Sequence, residues 1–223
     1  MISFKGQRFP KEVILQCIRW YLVYSLSYRD IEEMMTERGV KVDHSSLQRW
    51  VVKYSPQLDR EFHKKKKKVG SSWRLDETYI KVNGKWKYLY RAVDKEGNTV
   101  DFLLTAKRDT KAALRYLKKA VKRNGEPEKI TIDKSGANKS AIKAYNKTTE
   151  NPAEMRDIKY LNNIVEQDHR GIKRITKPMM GFKSFDSAQK TLTGIELGRM
   201  IKKGQMENSE GMTNAEQFYS LAA

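Results

Sequence analysis

The 223-residue chain carries 45 lysines and arginines against 27 acidic residues, for a formal net charge of +18 at pH 7. Such an excess favours a polyanionic partner, and nucleic acid fits a positive charge that is spread over the whole chain. No apolar run approaches the roughly 18 residues of a membrane span, and the single cysteine, Cys17, permits no intrachain disulfide. We therefore expect a protein of a reducing cytosol that has no membrane partner.

Three helices are predicted in the first 58 residues. Apolar side chains recur with a 3.6-residue period over residues 11–24, which predicts one buried helix face. Ser27 is followed three residues later by Asp30, the pattern of a capping box at the start of a second helix. Asp43 is expected to cap a third helix, which the pattern ends before Pro56.

The order of these elements is typical of helix-turn-helix DNA binding, in which the start of the last helix reaches base edges in the major groove. The candidate DNA contacts on the third helix are Ser45, Ser46, Arg49 and Lys53. Arginine suits guanine, and serine suits bases or phosphates. An ordinary three-helix bundle with a solvated polar face fits the same spacing, and only the basic charge of the chain favours DNA.

Residues 59–72 read as a linker, because they contain five consecutive lysines followed by glycine and two serines. A run of lysines is usually only solvated. Beside a DNA-binding module it can also neutralise phosphates without reading sequence, which makes Lys64, Lys65 and Lys66 candidate DNA contacts.

A second pattern begins at residue 73, where aromatic and β-branched residues alternate with polar ones. Asn83-Gly84 separates two such runs and is a strong hairpin signal. The predicted elements are strands at 73–82, 85–94 and 98–106, a helix at 110–123, a strand at 129–133, and helices at 139–147 and 159–174. We therefore expect an α/β domain with a mixed sheet flanked by helices, preceded by the three-helix module.

Three acidic residues of this domain occupy informative positions. Asp76 lies in the middle of a strand, where a charged residue is depleted, and Asp133 ends a strand at the sheet edge where ligands bind in α/β folds. Glu166 follows on a helix. Two aspartates and a glutamate can bind hard divalent cations, and two such ions serve phosphodiester displacement. The alternative is that each acid is half of a surface salt bridge, which is the usual role of Asp and Glu.

The helix around Glu166 is predicted to carry further polar side chains on the same face. Asn162, Glu166, Arg170 and Lys173 fall at i, i+4, i+8 and i+11, which is one stripe of a helix. Arg170 and Lys173 would hold DNA phosphates, and Asn162 is a further candidate DNA contact.

Several neighbouring residues are expected to have structural roles instead. Strand alternation turns Glu77 away from Asp76. Asp168 is expected to pair with a lysine or arginine on the core side of its helix, and His169 to form a hydrogen bond at the helix surface. The four tryptophans are expected to be core anchors.

The chain resembles the bacterial insertion-sequence transposases of the family numbered six. The resemblance is carried by the N-terminal stretch "YSLSYRDIEEMMTERGVKVDHSSLQRWV" and by "WRLDETYIKVNGKWKYLYRAVD", "TIDKSGANKSA", "YLNNIVEQDHRGIKR" and "GFKSFDSAQKTLTGIELGRMIKKGQ". It spans nearly the whole chain and implies a ribonuclease-H-like core with a catalytic triad, to which Asp76, Asp133 and Glu166 correspond. Lys173 corresponds to the basic residue that these enzymes place beside the cleaved DNA end.

The resemblance implies the domain organisation and the activity. We expect a helix-turn-helix domain at 1–58, a basic linker at 59–72, a ribonuclease-H-like catalytic domain at 73–205 and a C-terminal tail at 206–223. The activity implied is that of a DNA transposase that binds terminal inverted repeats, nicks the 3′ ends and joins them to target DNA, with a cointegrate-forming outcome. The expected cofactor is Mg²⁺ or Mn²⁺, as two ions.

A transposase of this kind is expected to work on double-stranded DNA in the bacterial cytosol or nucleoid as a homodimer or larger assembly, with no small-molecule substrate. Two alternatives remain open from the sequence. One is a non-enzymatic helix-turn-helix regulator, and the other is a ribonuclease-H-like nuclease that never joins strands.

Overall fold

The computed structural model describes residues 2–133 and 135–223. Its elements in chain order are α1 (Lys11–Val23), α2 (Tyr28–Thr36), α3 (His44–His63), β1 (Ser72–Val82), β2 (Lys85–Val93), β3 (Thr99–Thr105), α4 (Thr110–Asn124), β4 (Lys129–Ile132), α5 (Gly136–Asn146), β5 (Glu154–Asp157), a 3-10 turn (Lys159–Asn162), α6 (Asn163–Thr176), α7 (Phe185–Lys202) and α8 (Asn214–Ser220). No helix within the described residues is long and apolar enough to cross a membrane.

The chain forms two compact units whose limits differ from the predicted domains. One unit combines the residues up to Lys67 with Ile172–Ala223, and the other is Lys68–Gly171. The predicted catalytic range of 73–205 thus includes α7, which packs against α1 and α3 of the first unit. The predicted tail also folds, because α8 lies against α1 and α7 and buries Phe218.

The helix starts of the first unit follow the local sequence. The Ser27 hydroxyl accepts from the Asp30 N–H at 3.1 Å, and the Asp30 carboxylate accepts from the Ser27 N–H at 2.7 Å, which confirms the capping box. Asp43 caps α3 by accepting from the Ser45 N–H at 2.8 Å, as predicted. Both caps depend on residues within three positions of each other, so the sequence alone specifies them.

The predicted end of α3 before Pro56 is wrong, because the helix continues to His63. Proline removes one helical hydrogen bond and normally interrupts a helix interior. Beyond it, however, Leu58, Asp59 and Phe62 are buried, and this burial favours two further turns. The first five residues of the predicted linker therefore belong to a helix.

The second unit is built on a five-stranded mixed sheet with the strand order β3-β2-β1-β4-β5. The strands β1, β2 and β3 are antiparallel, and β4 and β5 run parallel to β1. The predicted hairpin is present, with φ of 48° at Asn83 and 72° at Gly84. The polar strand β5 was not predicted, since its sequence Glu-Met-Arg-Asp shows no apolar alternation.

One face of this sheet is covered by α4 and α5, which pack on a core of alternating strand residues. The core includes Trp73, Leu75, Ile130 and Ile132 from the strands, with Tyr116 and Leu117 from α4 and Ile142 from α5. Trp86 corrects the expectation that all four tryptophans are core anchors, because it lies on the β1–β2 hairpin and is 61% exposed. The mixed sheet with flanking helices is the α/β fold class that was expected.

Gly194 of α7 lies at a close contact between helices of the first unit. A Cβ atom there would lie 2.5 Å from Leu22 Cδ1 and 2.6 Å from Ser55 Oγ, and both side chains are buried. Gly194 therefore lets α7 approach α1 and α3 more closely than any side chain would allow.

We predict that Gly194→Ala lowers the thermal unfolding midpoint. Overpacking a core typically costs about 1–3 kcal/mol, which exceeds the gain of roughly 1 kcal/mol from alanine's helix propensity. Gly136→Ala is the matched control, because Gly136 is also helical and nothing lies within 4 Å of the added atom. A Gly194→Ala midpoint equal to or above that of Gly136→Ala would contradict this account of the packing.

Candidate active site and nucleic-acid interface

The register of the sheet brings Asp76 and Asp133 together. β1 and β4 pair in parallel, with Leu75 opposite Ile132. The residue that follows Leu75 is Asp76, and the residue that follows Ile132 is Asp133. Neighbouring strands lie about 4.8 Å apart, and residues in register share a face. Alternation buries Leu75 and Ile132 under α4 and α5 and turns Asp76 to the opposite face, while Asp133 follows the last residue of β4. The Asp133 carboxylate also accepts from the Ser135 N–H at 3.0 Å.

Glu166 reaches the same region through α6. It is an exposed residue of the first turn of this helix, and His169, three residues further on, lies with Nε2 3.1 Å from Asp76 Oδ2. Residues three apart on a helix are neighbours about 4.5 Å apart along the axis. The helix therefore places Glu166 one turn from the residue that contacts Asp76.

Asp76 and Asp133 follow paired strand residues and Glu166 lies one turn before His169, but within the described residues the three carboxylates do not form a closed ligand set. Within residues 2–133 and 135–223, the only three candidate ligand atoms that lie within 4.8 Å of one another come from Glu32, Asp43 and His44. The donor chemistry of the triad nevertheless fits a hard divalent cation, because all of its donors are carboxylate oxygens.

The Glu32, Asp43 and His44 set has a simpler explanation on the helix surface. His44 Nδ1 lies 3.1 Å from Glu32 Oε2, a contact that joins α2 to the start of α3. Asp43 is the cap of α3, and its carboxylate already accepts from Ser45. The side chains of Asp43 and His44 are about half exposed.

A buried polar chain lies behind Asp76. Arg91 faces Asp76 directly across the β1–β2 ladder, and its Nη2 donates to Asp168 Oδ2 at 2.5 Å. This ion pair confirms the prediction that Asp168 pairs with a basic residue on the core side. Arg91 Nη1 lies 3.4 Å from His169 Nδ1, so the ring of His169 lies between Arg91 and Asp76. His169 is only 5% exposed, which corrects its expected place at the helix surface.

Glu77 occupies the other face, as strand alternation predicted. It is buried, forms an ion pair with Arg108, and accepts from Asn138 Nδ2 of α5 at 3.0 Å. Burial raises the pKa of the Glu77 carboxyl, while the Asn138 hydrogen bond and the Arg108 charge oppose that rise. The negative charges of Asp76 and Asp133 raise this pKa further, so Glu77 lies within electrostatic reach of both aspartates.

The predicted DNA contact by Asn162 is wrong. Asn162 ends the 3-10 turn before α6, so it is not on the helical stripe of Glu166. The turn lies against β1 and β4, where the side chain is fully buried and donates to the Leu75 carbonyl at 3.3 Å. Arg170 and Lys173 are both exposed on α6.

A basic cleft of about 410 Å³ lies at the start of α3. Four cationic residues line it together with Ser46, namely Arg8, Lys41, Arg49 and Lys53. Of the predicted contacts on α3, Ser46, Arg49 and Lys53 line this cleft. Ser45 lines a separate groove of the first unit, and its hydroxyl donates a hydrogen bond to the Asp43 carboxylate.

Residues 4–9, called the N-terminal arm below, precede α1, and four of them line the cleft. Sequence reasoning did not predict this part of the cleft. Trp50 Nε1 donates to Gln7 Oε1 at 3.2 Å, and the Phe9 ring meets the Trp50 ring edge-on at 5.4 Å. Phe4 stacks on Tyr54 at 4.7 Å. The arm has no periodic pattern, so its position beside α3 could not be predicted from the spacing of its residues.

The run of lysines is partly incorporated into the fold. Lys64 and Lys65 are exposed, whereas Lys66 is half-buried and forms an isolated β-bridge with Met206. The backbone of Lys65 also accepts from the Glu207 N–H at 2.7 Å. This segment is therefore pinned to the C-terminal region, which corrects its description as a flexible linker.

Comparison with known proteins gives close relatives. A model of the DDE domain of IS240-type transposases matches residues 70–205. The transposase for insertion sequence-like element IS431mec of Staphylococcus aureus strain Mu50 is 45% identical over 198 residues, which are 88% of this chain and 87% of that protein. The transposase for insertion sequence element IS257 in transposon Tn4003 of Staphylococcus aureus is 44% identical over the same shares of the two chains.

Solved structures give more distant matches. The dimeric form of the HTLV-2 integrase catalytic core domain in complex with magnesium covers 67% of this chain and 97% of that chain, with 16% identity and a TM-score of 0.47. The catalytic core domain of BIV integrase covers 68% and 95%, with 13% identity and a TM-score of 0.44.

The family model covers more than half of the chain, and the Staphylococcus relatives align over almost nine-tenths of both partners. The chain therefore belongs to the DDE transposases of the insertion-sequence family numbered six.

Proposed function

We propose that Asp76, Asp133 and Glu166 are the catalytic carboxylates of this transposase, and that the cleft at the start of α3 binds the ends of its element. As a DDE transposase, the protein is a metal-dependent DNA strand transferase. The observation that supports the assignment of the site is the register of β1 with β4, in which each member of the Leu75–Ile132 pair is followed by an aspartate. Asp76 also contacts His169, which lies one helical turn after Glu166.

The carboxylates would hold two Mg²⁺ or Mn²⁺ ions. When bound, such ions activate an attacking oxygen and stabilise the leaving oxygen of a phosphodiester. Asp133 is oriented for this role by the Ser135 N–H, and Asp76 by His169. Glu166 is exposed, so its side chain has the rotamer freedom to close on a cation shared with the aspartates.

The chemistry proposed for this site has two displacements. In the first, water breaks one phosphodiester bond at each element end and leaves a 3′-hydroxyl. In the second, that hydroxyl attacks a phosphodiester of target DNA, so one P–O bond forms while another breaks. The exposed Arg170 and Lys173 of α6 are proposed to hold phosphates of the cleaved end. Since two element ends must be processed together, we infer that two or more copies of the chain assemble.

End recognition is assigned to the cleft. Arg49 lies near the start of α3, where a recognition helix reaches base edges, and is held there by donating to Ser46 Oγ at 3.0 Å. Arg8 and Lys41 come from outside the helix and suit phosphates on either side of the groove. Ser45, Lys53, Lys64 and Lys65 remain proposed backbone contacts because they are exposed. Lys66 is the weakest of the predicted contacts, since its bridge to Met206 limits its reach.

We predict that Asp76→Asn abolishes nicking of inverted-repeat DNA in Mg²⁺ while leaving DNA binding intact. Removing a hydrogen-bonding neighbour of a metal ligand already costs about 10–100-fold, so the loss of a ligand should cost at least about 100-fold. Asp186→Asn is the matched control, since Asp186 is an exposed acid that pairs only locally with Lys190. Nicking by Asp76→Asn at the control rate would remove Asp76 from the mechanism. Joined products from the wild-type chain would exclude both a simple nuclease and a non-enzymatic regulator.

We predict that Arg49→Ala and Arg8→Ala weaken binding to inverted-repeat DNA in different ways. Arg49→Ala should weaken the free energy of binding to inverted-repeat DNA by about 1–3 kcal/mol. It should also reduce the preference for inverted-repeat over random DNA, as the loss of a base contact does. Arg8→Ala should weaken binding to both DNAs equally and reduce the slope of log K against log[salt] by about 0.9, as the loss of one phosphate contact does.

The control for both variants is Arg60→Ala. Arg60 is exposed on α3 but does not line the cleft. Binding is measured by fluorescence anisotropy over a salt series. If Arg60→Ala and Arg8→Ala shift the salt slope equally, the cleft has no special part in DNA binding.

A further inference from the structure

We propose that His169 is a positioning residue, which donates a hydrogen bond to Asp76 and fixes the carboxylate so that one oxygen faces the cation. This inference rests on the proposed function, in which Asp76 is a metal ligand. No motif or spacing in the sequence assigned this role to His169. It follows from a chain of three contacts, all on the α6 face of the sheet.

The first contact compensates the charge of Arg91. Arg91 lies directly opposite Asp76 on the neighbouring antiparallel strand, where opposite charges commonly pair. Its guanidinium is fully buried and forms an ion pair with Asp168 at 2.5 Å. Asp168 therefore offsets the positive charge that lies opposite Asp76.

The second contact sets the tautomer of His169. Arginine is a donor only, so a hydrogen bond from Arg91 Nη1 requires His169 Nδ1 to be the acceptor. The separation of 3.4 Å places Nδ1 at the long end of such a bond. With Nδ1 unprotonated, the ring proton of the neutral imidazole is on Nε2.

The third contact joins the protonated Nε2 of His169 to the proposed metal ligand Asp76. Nε2 lies 3.1 Å from Asp76 Oδ2, so the N–H of His169 donates to that oxygen. Asp76 Oδ2 is then committed to His169, and Oδ1 remains for a cation. Because His169 is 5% exposed, water does not readily replace this bond. Ligand carboxylates that are held in this way bind metals more tightly than ones that rotate.

The test compares two amide variants of His169. In His169→Gln the amide nitrogen takes the place of Nε2 and can still donate to Asp76. In His169→Asn the shorter side chain takes the place of Nδ1, so its oxygen can still accept from Arg91 while the bond to Asp76 is lost. Both variants are polar and uncharged, which makes them matched controls for each other. The probe is Mn²⁺ added to the full chain without DNA, and bound Mn²⁺ is measured by paramagnetic resonance. The Mn²⁺ dependence of end nicking is the second measurement.

We expect His169→Asn to raise the Mn²⁺ concentration for half-saturation about 10–100-fold. His169→Gln should stay within about threefold of wild type, because it keeps the bond to Asp76. Thermal unfolding midpoints without metal should be similar for the two variants, since each preserves one of the two contacts of His169. If His169→Asn binds Mn²⁺ as well as His169→Gln, the bond to Asp76 has no positioning role and the inference is wrong.

The Asp76→Asn variant separates this failure from a failure of the proposed function. If Asp76→Asn binds Mn²⁺ like wild type, Asp76 is not a ligand and the catalytic assignment fails with it. If Asp76→Asn loses Mn²⁺ binding while both His169 variants keep it, the catalytic assignment stands and only the role of His169 is refuted.

Discussion

The parallel pairing of β1 with β4 is the constraint on which the proposed active site depends. Leu75 and Ile132 are paired and buried under α4 and α5, and the residue after each is an aspartate. If the register of either strand shifted by one residue, its aspartate would turn into the apolar core, and the leucine or isoleucine before that aspartate would turn out of the core. The burial that stabilises the core therefore also keeps Asp76 and Asp133 side by side. Two residues that are 57 positions apart in the sequence are adjacent for a reason that involves no catalytic chemistry.

The face of the sheet opposite that core is polar where it meets α6. Arg91 and His169 are buried there, and the Asp168 side chain is 8% exposed. A largely buried ion pair contributes little net stability, because desolvation offsets most of its attraction. Replacing the group with apolar side chains would leave stability similar, but Asp76 would lose its hydrogen-bonding partner. Burial also restricts the rotamers of these side chains, so the chain of contacts has one arrangement. The arrangement suits a site that must hold a ligand carboxylate in one orientation.

Much of this architecture was predictable because it is determined locally. The caps at Ser27 and Asp43 and the Asn83-Gly84 hairpin each depend on a few consecutive residues. The pairing of Asp168 followed from helical spacing. The errors fall where tertiary contacts decide. Burial of later residues carries α3 past Pro56, and β5 forms at the edge of a sheet that already exists.

The candidate site shows the same division. The proposed triad rests on strand and helix positions and on a family resemblance, since each acid has a distinctive place in the pattern. The inward turn of Asn162 and the placement of His169 between Arg91 and Asp76 depend on how the 3-10 turn and α6 meet the sheet. The N-terminal arm carries no periodic signal at all. Its position depends on aromatic contacts with Trp50 and Tyr54, which only a folded α3 provides.

The N-terminal helices do not form a compact unit by themselves, because the first unit also contains Ile172–Ala223. Leu22 of α1 and Ser55 of α3 both meet α7 at Gly194, which is 139 residues beyond Ser55 along the chain. A fragment ending at residue 58 would expose this surface and would also lose the last turn of α3, where Phe62 is buried. Exposed apolar surface of this kind costs about 25 cal/mol per Å². The helices that carry the basic cleft are therefore stabilised by α7, which covers this surface although it lies far along the chain.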